Sequence, residues 1–261
     1  MSSVVKSDIQ PFKMHENVYF VGSSKVSVHI IDTTEGLVMI DTGYPDMYEQ
    51  ITDSMNELGL NPEDICAIFH SHGHIDHFGC TRQFKEISGA KTYISRIDND
   101  IVNGKLDLSW AEELNYERIP AFDCDVLIED GDVFNFGDTT VRCVLTPGHT
   151  DGVISFFIDI KTKDGSFVAA MYGGAGFNTL TSKFLNKYNL SFDCREIFKE
   201  SLLKVEKERV DLFLGNHPQQ NDTKGKLCKV LANESAIDNS EWKRFLTNTR
   251  KNLDEKLKEG M

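Results

Sequence analysis

The spacing of apolar positions along this chain alternates between two periods, and the switches mark its elements. Val18 to Gly22, Val26 to Asp32 and Leu37 to Asp41 read as three successive strands, with Thr33-Thr34-Glu35-Gly36 as the tight turn between the last two. The third strand is wholly apolar (Leu37-Val38-Met39-Ile40), the pattern of a strand covered on both faces of its sheet. Met47, Ile51, Met55 and Leu58 then recur at helical spacing until Gly59 stops them. Asp64 to Phe69 reads as a short buried strand. Phe78, Cys80, Phe84 and Ile87 predict a helix that ends at Gly89, and Lys91 to Ile94 a further strand. Residues 95–123 have no clear period; Trp110 and Tyr116 within them are expected to plug the edge of a core rather than line a pocket.

A second strand-rich stretch follows. Asp125 to Glu129, Val133 to Phe136 and Thr139 to Thr146 are separated by Gly131 and by Gly137-Asp138, and they lead into Thr146-Pro147-Gly148-His149-Thr150. Val153 to Ile160 and Phe167 to Tyr172 predict a hairpin around Lys163-Asp164-Gly165, followed by Gly173-Gly174-Ala175-Gly176. Cys194, Ile197, Phe198, Leu202 and Val205 give a helix with Cys194 in its core face. Val210 to Gly215 is a buried strand that exits at Asn216-His217-Pro218. A charged helix from about Ser240 to Glu259, with Trp242, Phe245, Leu246 and Leu253 as a thin apolar stripe, is expected to cover the core. Each half thus feeds a loop from a hairpin, a likeness of architecture without residue-level repetition.

Composition narrows the class. A chain of 261 residues with 40% hydrophobic content can bury a full core, and it is read as one domain over residues 1–261. It has no apolar run long enough to span a membrane, and Met1-Ser2-Ser3-Val4-Val5-Lys6 lacks the apolar core of a secretory signal, so a cytoplasmic protein is expected. Six cysteines without a CxxC pair fit buried free thiols. A net charge of −13 disfavours a nucleic-acid partner, since phosphates would be repelled.

The chemistry is concentrated in Phe69-His70-Ser71-His72-Gly73-His74-Ile75-Asp76-His77-Phe78-Gly79, which holds four of the chain's eight histidines. His72 and His74, two apart, project the same way from an extended segment and can share one metal ion. Asp76 and His77 are neighbours at a helix start, where adjacent side chains diverge by roughly 100°. They can share an ion with each other, so two ions side by side are the economical arrangement. Imidazole and carboxylate without thiolate suit zinc, with iron or manganese also compatible. His149 and His217 each stand at a strand's exit, the same placement as the motif. His70 is expected to be a satisfied structural histidine. Asp41, at the end of the apolar strand, is either a turn-former or a partner that holds a ligand from behind.

With HxHxDH, the histidines of Thr146-Pro147-Gly148-His149-Thr150 and Asn216-His217-Pro218, and the strand end Ile40-Asp41-Thr42-Gly43, the chain resembles the metallo-β-lactamase superfamily from Val18 through Leu227. Within it, Asn17-Val18-Tyr19-Phe20-Val21-Gly22, Ser71 to His77 and Leu145 to Thr150 are most similar to the third subclass of the zinc-dependent class B β-lactamases. The resemblance implies an α+β fold, a four-layer αββα sandwich with the site at one edge. It implies one zinc on His72, His74 and His149, a second on Asp76, His77 and His217, and Asp41 supporting the site from behind. Glyoxalase II, most lactonases and the RNA-processing nucleases place a bridging aspartate after the strand that here ends at Tyr172, where this chain has glycines and an alanine. The first lactamase subclass uses a cysteine ligand, a role Cys194 is badly placed to fill.

The activity so implied is hydrolysis by a hydroxide that bridges the two zinc ions, with Asp76 as the catalytic side chain that orients it and passes its proton onward. Two zinc ions less Asp76 and the hydroxide leave a positive site, which favours an anionic small-molecule substrate. In the third subclass the stretch at Gly173 to Gly176 usually carries serines that help hold the substrate carboxylate or the site water. Their absence leaves the substrate open between the cyclic amide of a β-lactam and a lactone, ester or thioester. A redox or purely metal-binding use of the fold is disfavoured, because the oxygen-reducing relatives usually have glutamate where this chain has His74.

Overall fold

The computed structural model describes residues 9–261, so residues 1–6, read above for a secretory signal, lie outside it. The first half holds β1 (Phe12–His15), β2 (Val18–Phe20), β3 (His29–Thr33), β4 (Gly36–Ile40), α1 (Tyr48–Glu57), β5 (Ile65–Phe69), α2 (Ile75–Phe78), α3 (Thr81–Ser88), β6 (Lys91–Ser95) and α4 (Asn99–Val102). The second holds β7 (Val126–Ile128), β8 (Val133–Phe136), β9 (Thr139–Leu145), β10 (Ile154–Thr162), β11 (Gly165–Met171), α5 (Ser182–Tyr188), α6 (Cys194–Lys204), β12 (Leu212–Leu214), α7 (Thr223–Leu231) and α8 (Glu241–Lys258).

Strands β1 to β7 lie in chain order in one sheet, antiparallel as far as β4 and parallel beyond it. The other sheet runs β12-β11-β10-β9-β8, antiparallel except for the β11–β12 pair. Side-chain alternation along the strands explains the layering. Val38, Phe69, Phe156 and Met171 face inward and form the core between the sheets. Their neighbours Met39 and Ile68 face outward onto Ile51 and Met55 of α1 and Phe84 of α3. Phe157 and Ala170 face outward on the other side, onto Phe198 and Leu202 of α6 and Trp242, Leu246 and Leu253 of α8. This is the expected αββα sandwich, and the terminal charged helix does cover the core.

Several local expectations need correction. The short strand β1 pairs with β2 at the sheet's edge, where an alternation of only four residues gave too little pattern to read. The helix after the histidine motif is two pieces, α2 and α3. The chain there passes so close to residues 43–45 that a Cβ on Gly79 would stand 2.4 Å from Pro45 N, and Gly79 N donates to Gly43 O. Helices α5 and α7 have weak stripes; their caps, Thr181 Oγ1 accepting from Phe184 N and Asp222 Oδ1 from Gly225 N, were the available signals. All six cysteines are free as expected, but not all are buried: Cys66 and Cys194 are half-buried and Cys228 is exposed. Among the described residues, no helix is long and apolar enough to cross a membrane.

Strands β4 and β5 run parallel, and so do β9, β11 and β12, so the exits of all five can meet at one edge of the sandwich. They do: Ile154 N donates to Ser71 O, Ser27 N to Asn216 O, and Asn216 Nδ2 to Gly173 O. That edge carries every histidine considered above as a ligand.

Candidate metal centre

The edge brings the six side chains together as two adjoining groups. His72, His74 and His149 form one, with Nε2 of His72 3.0 Å and Nε2 of His149 3.1 Å from Nδ1 of His74. Asp76, His77 and His217 form the other, with Oδ2 of Asp76 3.5 Å from Nε2 of His77 and 3.7 Å from Nε2 of His217. The rings of His72 and His77, 4.2 Å apart between centroids, join the two groups.

The hydrogen bonds behind these rings decide where their lone pairs point. Nδ1 of His149 lies 2.8 Å from Gly176 O, Nδ1 of His217 2.7 Å from Lys25 O, and Nδ1 of His77 2.8 Å from Oδ2 of Asp41. A carbonyl or carboxylate oxygen only accepts, so each Nδ1 carries the proton and each Nε2 presents a lone pair to the site. His72 follows the same logic one step removed. The Ser71 hydroxyl donates to Asp41 Oδ2, so its oxygen is left to accept from His72 Nδ1 at 3.0 Å. In their neutral forms four imidazoles therefore aim bare nitrogens at the cleft, and Nε2 of His77, fully buried, has no hydrogen-bond partner. Clustered lone pairs repel unless something positive sits among them. Ligand nitrogens at roughly 2.0–2.1 Å around a tetrahedral ion stand a little over 3 Å apart, which is the spacing of the first group. The donor set fits a pair of borderline divalent cations.

Charge preferences follow the same geometry. Burial and then the neighbouring imidazoles hold His72 and His74 well below the usual histidine range, and burial brings His149 down to about 4. Burial also disfavours charge on His77, but the carboxylates of Asp76 and Asp41 outweigh it and raise its pKa. The first group is therefore neutral and ready to ligate.

Asp41 holds the centre from behind. Its Oδ1 accepts from Ser71 N and its Oδ2 from Ser71 Oγ and His77 Nδ1, all at 2.8 Å. Its φ of 58° is left-handed, at a cost of about 1–3 kcal/mol for a non-glycine residue. Hydrogen bonds to a charged group contribute about 1.5–3 kcal/mol each, so three of them outweigh that strain. His70 is the satisfied structural histidine expected, between Tyr93 O and Thr81 Oγ1. Cys194 opens α6 half-buried, packs against the core cluster beneath that helix as expected, and also lines a cavity beside the site. The Trp110 ring packs 5.8 Å from that of His74 and 4.7 Å from that of Phe184. Tyr116 does pack at the edge of a small core cluster, with its hydroxyl on Asp46.

One residue escaped the sequence reading. Asp98, in the stretch without a clear period, is buried between the two ligand-bearing loops. Its carboxylate accepts from Gly73 N at 2.8 Å on one side and from Thr150 Oγ1 at 2.6 Å and Gly152 N at 2.9 Å on the other. Burial nevertheless raises its pKa to about 6 against the pull of those bonds. The available signal was an Asp following a serine by three residues, since Asp98 N donates to Ser95 Oγ in a turn.

A model of the Metallo-beta-lactamase superfamily matches residues 21–162, more than half of the chain. The chain belongs to the metallo-beta-lactamase superfamily. Solved metallo-beta-lactamases share its fold over nearly the whole length. BJP-1 of Bradyrhizobium japonicum, a subclass B3 metallo-beta-lactamase, is 23% identical with a TM-score of 0.87, over 97% of this chain and 96% of that one. FEZ-1, the metallo-beta-lactamase of Legionella gormanii, is 25% identical with a TM-score of 0.84, over 97% of each chain. A probable polyketide biosynthesis zinc-dependent hydrolase of Bacillus velezensis, BaeB, is 30% identical over 112 residues, 42% of this chain and 40% of that protein. The matches to the first curated relatives span about two fifths of those proteins' lengths or less.

Proposed function

We propose that this protein is a dinuclear zinc hydrolase that opens a carbonyl substrate, in the manner of a β-lactamase acting on a cyclic amide. The observation that carries the reading is the convergence of four lone-pair-bearing imidazoles with His74 and Asp76 on two adjoining points. His72, His74 and His149 would hold one ion and Asp76, His77 and His217 the other. Zinc bound there supplies a Lewis acid for the carbonyl oxygen and makes water acidic enough to serve as a hydroxide nucleophile near neutral pH.

The remaining work falls to the protein's own groups. Asp41, Gly176 O and Lys25 O fix the tautomers and ring angles before substrate arrives. Asp76 faces the cleft between His77 and His217. Its carboxylate orients the attacking water, takes its proton and delivers that proton to the departing atom. The carbonyl carbon gains the water oxygen, the carbon–nitrogen bond breaks, and the products are a carboxylate and an amine. An anionic small molecule fits the positive charge that two ions bring.

One observation favours a second reading, hydrolysis of a lactone, ester or thioester with little β-lactam turnover. Gly174 lies against the His149 ring, where a Cβ would stand 2.8 Å from Cδ2, so that position has no room for a hydroxyl side chain of the kind that holds a lactam carboxylate. The test is a panel of nitrocefin and a carbapenem beside a lactone and a thioester, with bound metal counted. Two zinc per chain and chelator-reversible turnover of at least one substrate are expected, and the substrate turned over fastest selects between the readings. Equal turnover by the metal-free protein, or no turnover of any substrate with zinc bound, would overturn both.

A further inference from the structure

Beside the first histidine group, and away from Asp76, His77 and His217, lies a cavity of about 300 Å³ with His74 and His149 in its wall. The rest of the wall comes from the loop around His149 (residues 148–151) and from residues 97–108 and 179–197. Ile101, Phe184 and Leu185 form its buried side. Its rim is made by Ile97, Leu106 and Ile197, which are 44%, 46% and 37% exposed. Three of the molecule's few exposed large apolar side chains thus surround one opening, where scattered surface residues would have no reason to gather.

The polar groups of the cavity are of the wrong kind for an anion. Among the described residues lining it there is no Lys or Arg, and the carboxylates of Asp98, Asp151 and Asp193 are present instead. The Thr150 hydroxyl already donates to Asp98, and the Asp98 carboxylate is taken up by Gly73, Thr150 and Gly152. No charged donor is left to recognise a carboxylate or phosphate. The position of the cavity also assigns the part of the substrate it takes. Asp76, which serves the departing atom, belongs to the other group, so the chain that enters here is on the acyl side of the carbonyl.

We propose that this cavity binds an uncharged, apolar acyl chain attached to the carbonyl under attack, an assignment that rests on the hydrolase reading above. Burying each methylene contributes a constant increment, so affinity rises about three- to fourfold per carbon until the cavity is full.

Two measurements test it. In the first, calorimetry follows binding of uncharged n-alkyl amides of roughly two to ten carbons to the metal-free protein, which needs no turnover. The stated rise per carbon is expected, with a loss of about tenfold or more for the longest amide in Leu106→Asp and in Ile197→Asp. Both positions are at the exposed rim, and circular dichroism checks their folding. In the second, the zinc-loaded protein is given acyl thioesters of the same lengths and their ω-carboxylated counterparts. The plain chains should show a rising kcat/KM, the carboxylated chains should be at least about tenfold poorer, and Leu106→Lys should narrow that gap. Flat binding across the amide series, or equal turnover of plain and carboxylated chains, would overturn the assignment. Amide binding with the expected slope but no hydrolysis of any substrate would overturn the hydrolase reading and leave the cavity assignment standing. Hydrolysis without any dependence on chain length would do the reverse.

Discussion

The two halves of the centre are built differently. The first, His72, His74 and His149, is all imidazole and buried, with nitrogens 3.0–3.1 Å apart and an apolar cavity on its outer side. The second, Asp76, His77 and His217, contains a carboxylate, has Asp41 directly behind it, and leaves a quarter of the His217 side chain open to solvent. Neutral nitrogens leave an ion's charge undiminished, which suits gripping a carbonyl oxygen. A carboxylate reduces that charge and adds a proton acceptor, which suits the attacking water and the departing atom. On the proposed reading, this asymmetry would separate the binding of the acyl side from the departure of the other product.

The largest effect on that comparison comes from removing a member of either group. His72→Ala or Asp76→Ala should lower hydrolysis by roughly a thousandfold or more while circular dichroism shows an intact fold; an active purified variant would refute the assignment. A sharper cut separates the halves. His149→Ala and His217→Ala should each lose one metal equivalent per chain by elemental analysis, and loss of both ions from either would mean the groups are not independent.

Smaller effects come from the groups behind the ligands. Asp41→Asn should weaken zinc binding by roughly 10–100-fold and disturb both halves, because Asp41 reaches His77 directly and His72 through Ser71. Asp98→Ala should act on the first half alone, since it frees Gly73 and the loop that follows His149 while touching nothing in the second. Competitive zinc titration distinguishes the two patterns. The smallest effect is on the stability of the metal-free protein with pH. His29 and His70 are buried and held neutral, each lowered to about 4 from an ordinary 6.5. The unfolded chain therefore binds protons first, and their contribution, on the order of a few kcal/mol in all, is lost as pH falls from 6.5 through 4. Asp98, raised to about 6, works the other way: the folded protein holds its proton longer, so its contribution is lost as pH rises from about 4 to 6. In the metal-free protein the lowered histidines of the site, His72, His74, His149 and His217, add to His29 and His70 against Asp98. This leaves a net loss of stability on acidification, measurable as a lower denaturation midpoint at pH 5 than at pH 7.

Much of the site was readable before the fold because its chemistry is local. HxHxDH packs four candidate ligands into six residues, and His149 and His217 each stand just after a buried strand, where a period-2 apolar run and a turn residue announce them. The sheets were readable for the same reason, since strands such as Leu37 to Ile40 and Ile154 to Ile160 are long enough in pattern to declare both faces. The misreadings fall where pattern is short or weak. The helix after the histidine motif was read as one where it is two, and Asp98, within residues 95–123, was not picked out at all.

The resemblance to the metallo-β-lactamases implied the full ligand set and the sandwich; residue types and spacing alone gave the HxHxDH ligand pairs, the strand-end placement of His149, His217 and Asp41, and the net acidity. Those features depend on neighbours within a few positions, or on a periodicity that any window reveals. Only the folded chain decided which atoms of the histidines face the cleft, because a tautomer is set by an acceptor far away in sequence: Gly176 for His149, Lys25 for His217, Asp41 for His77. It also decided that Asp98 ties the two ligand loops together, and that residues 97–108 and 179–197 close into one apolar cavity. A cavity is made of surfaces that meet across the sandwich, and burial of that kind leaves no repeating mark on either segment by itself.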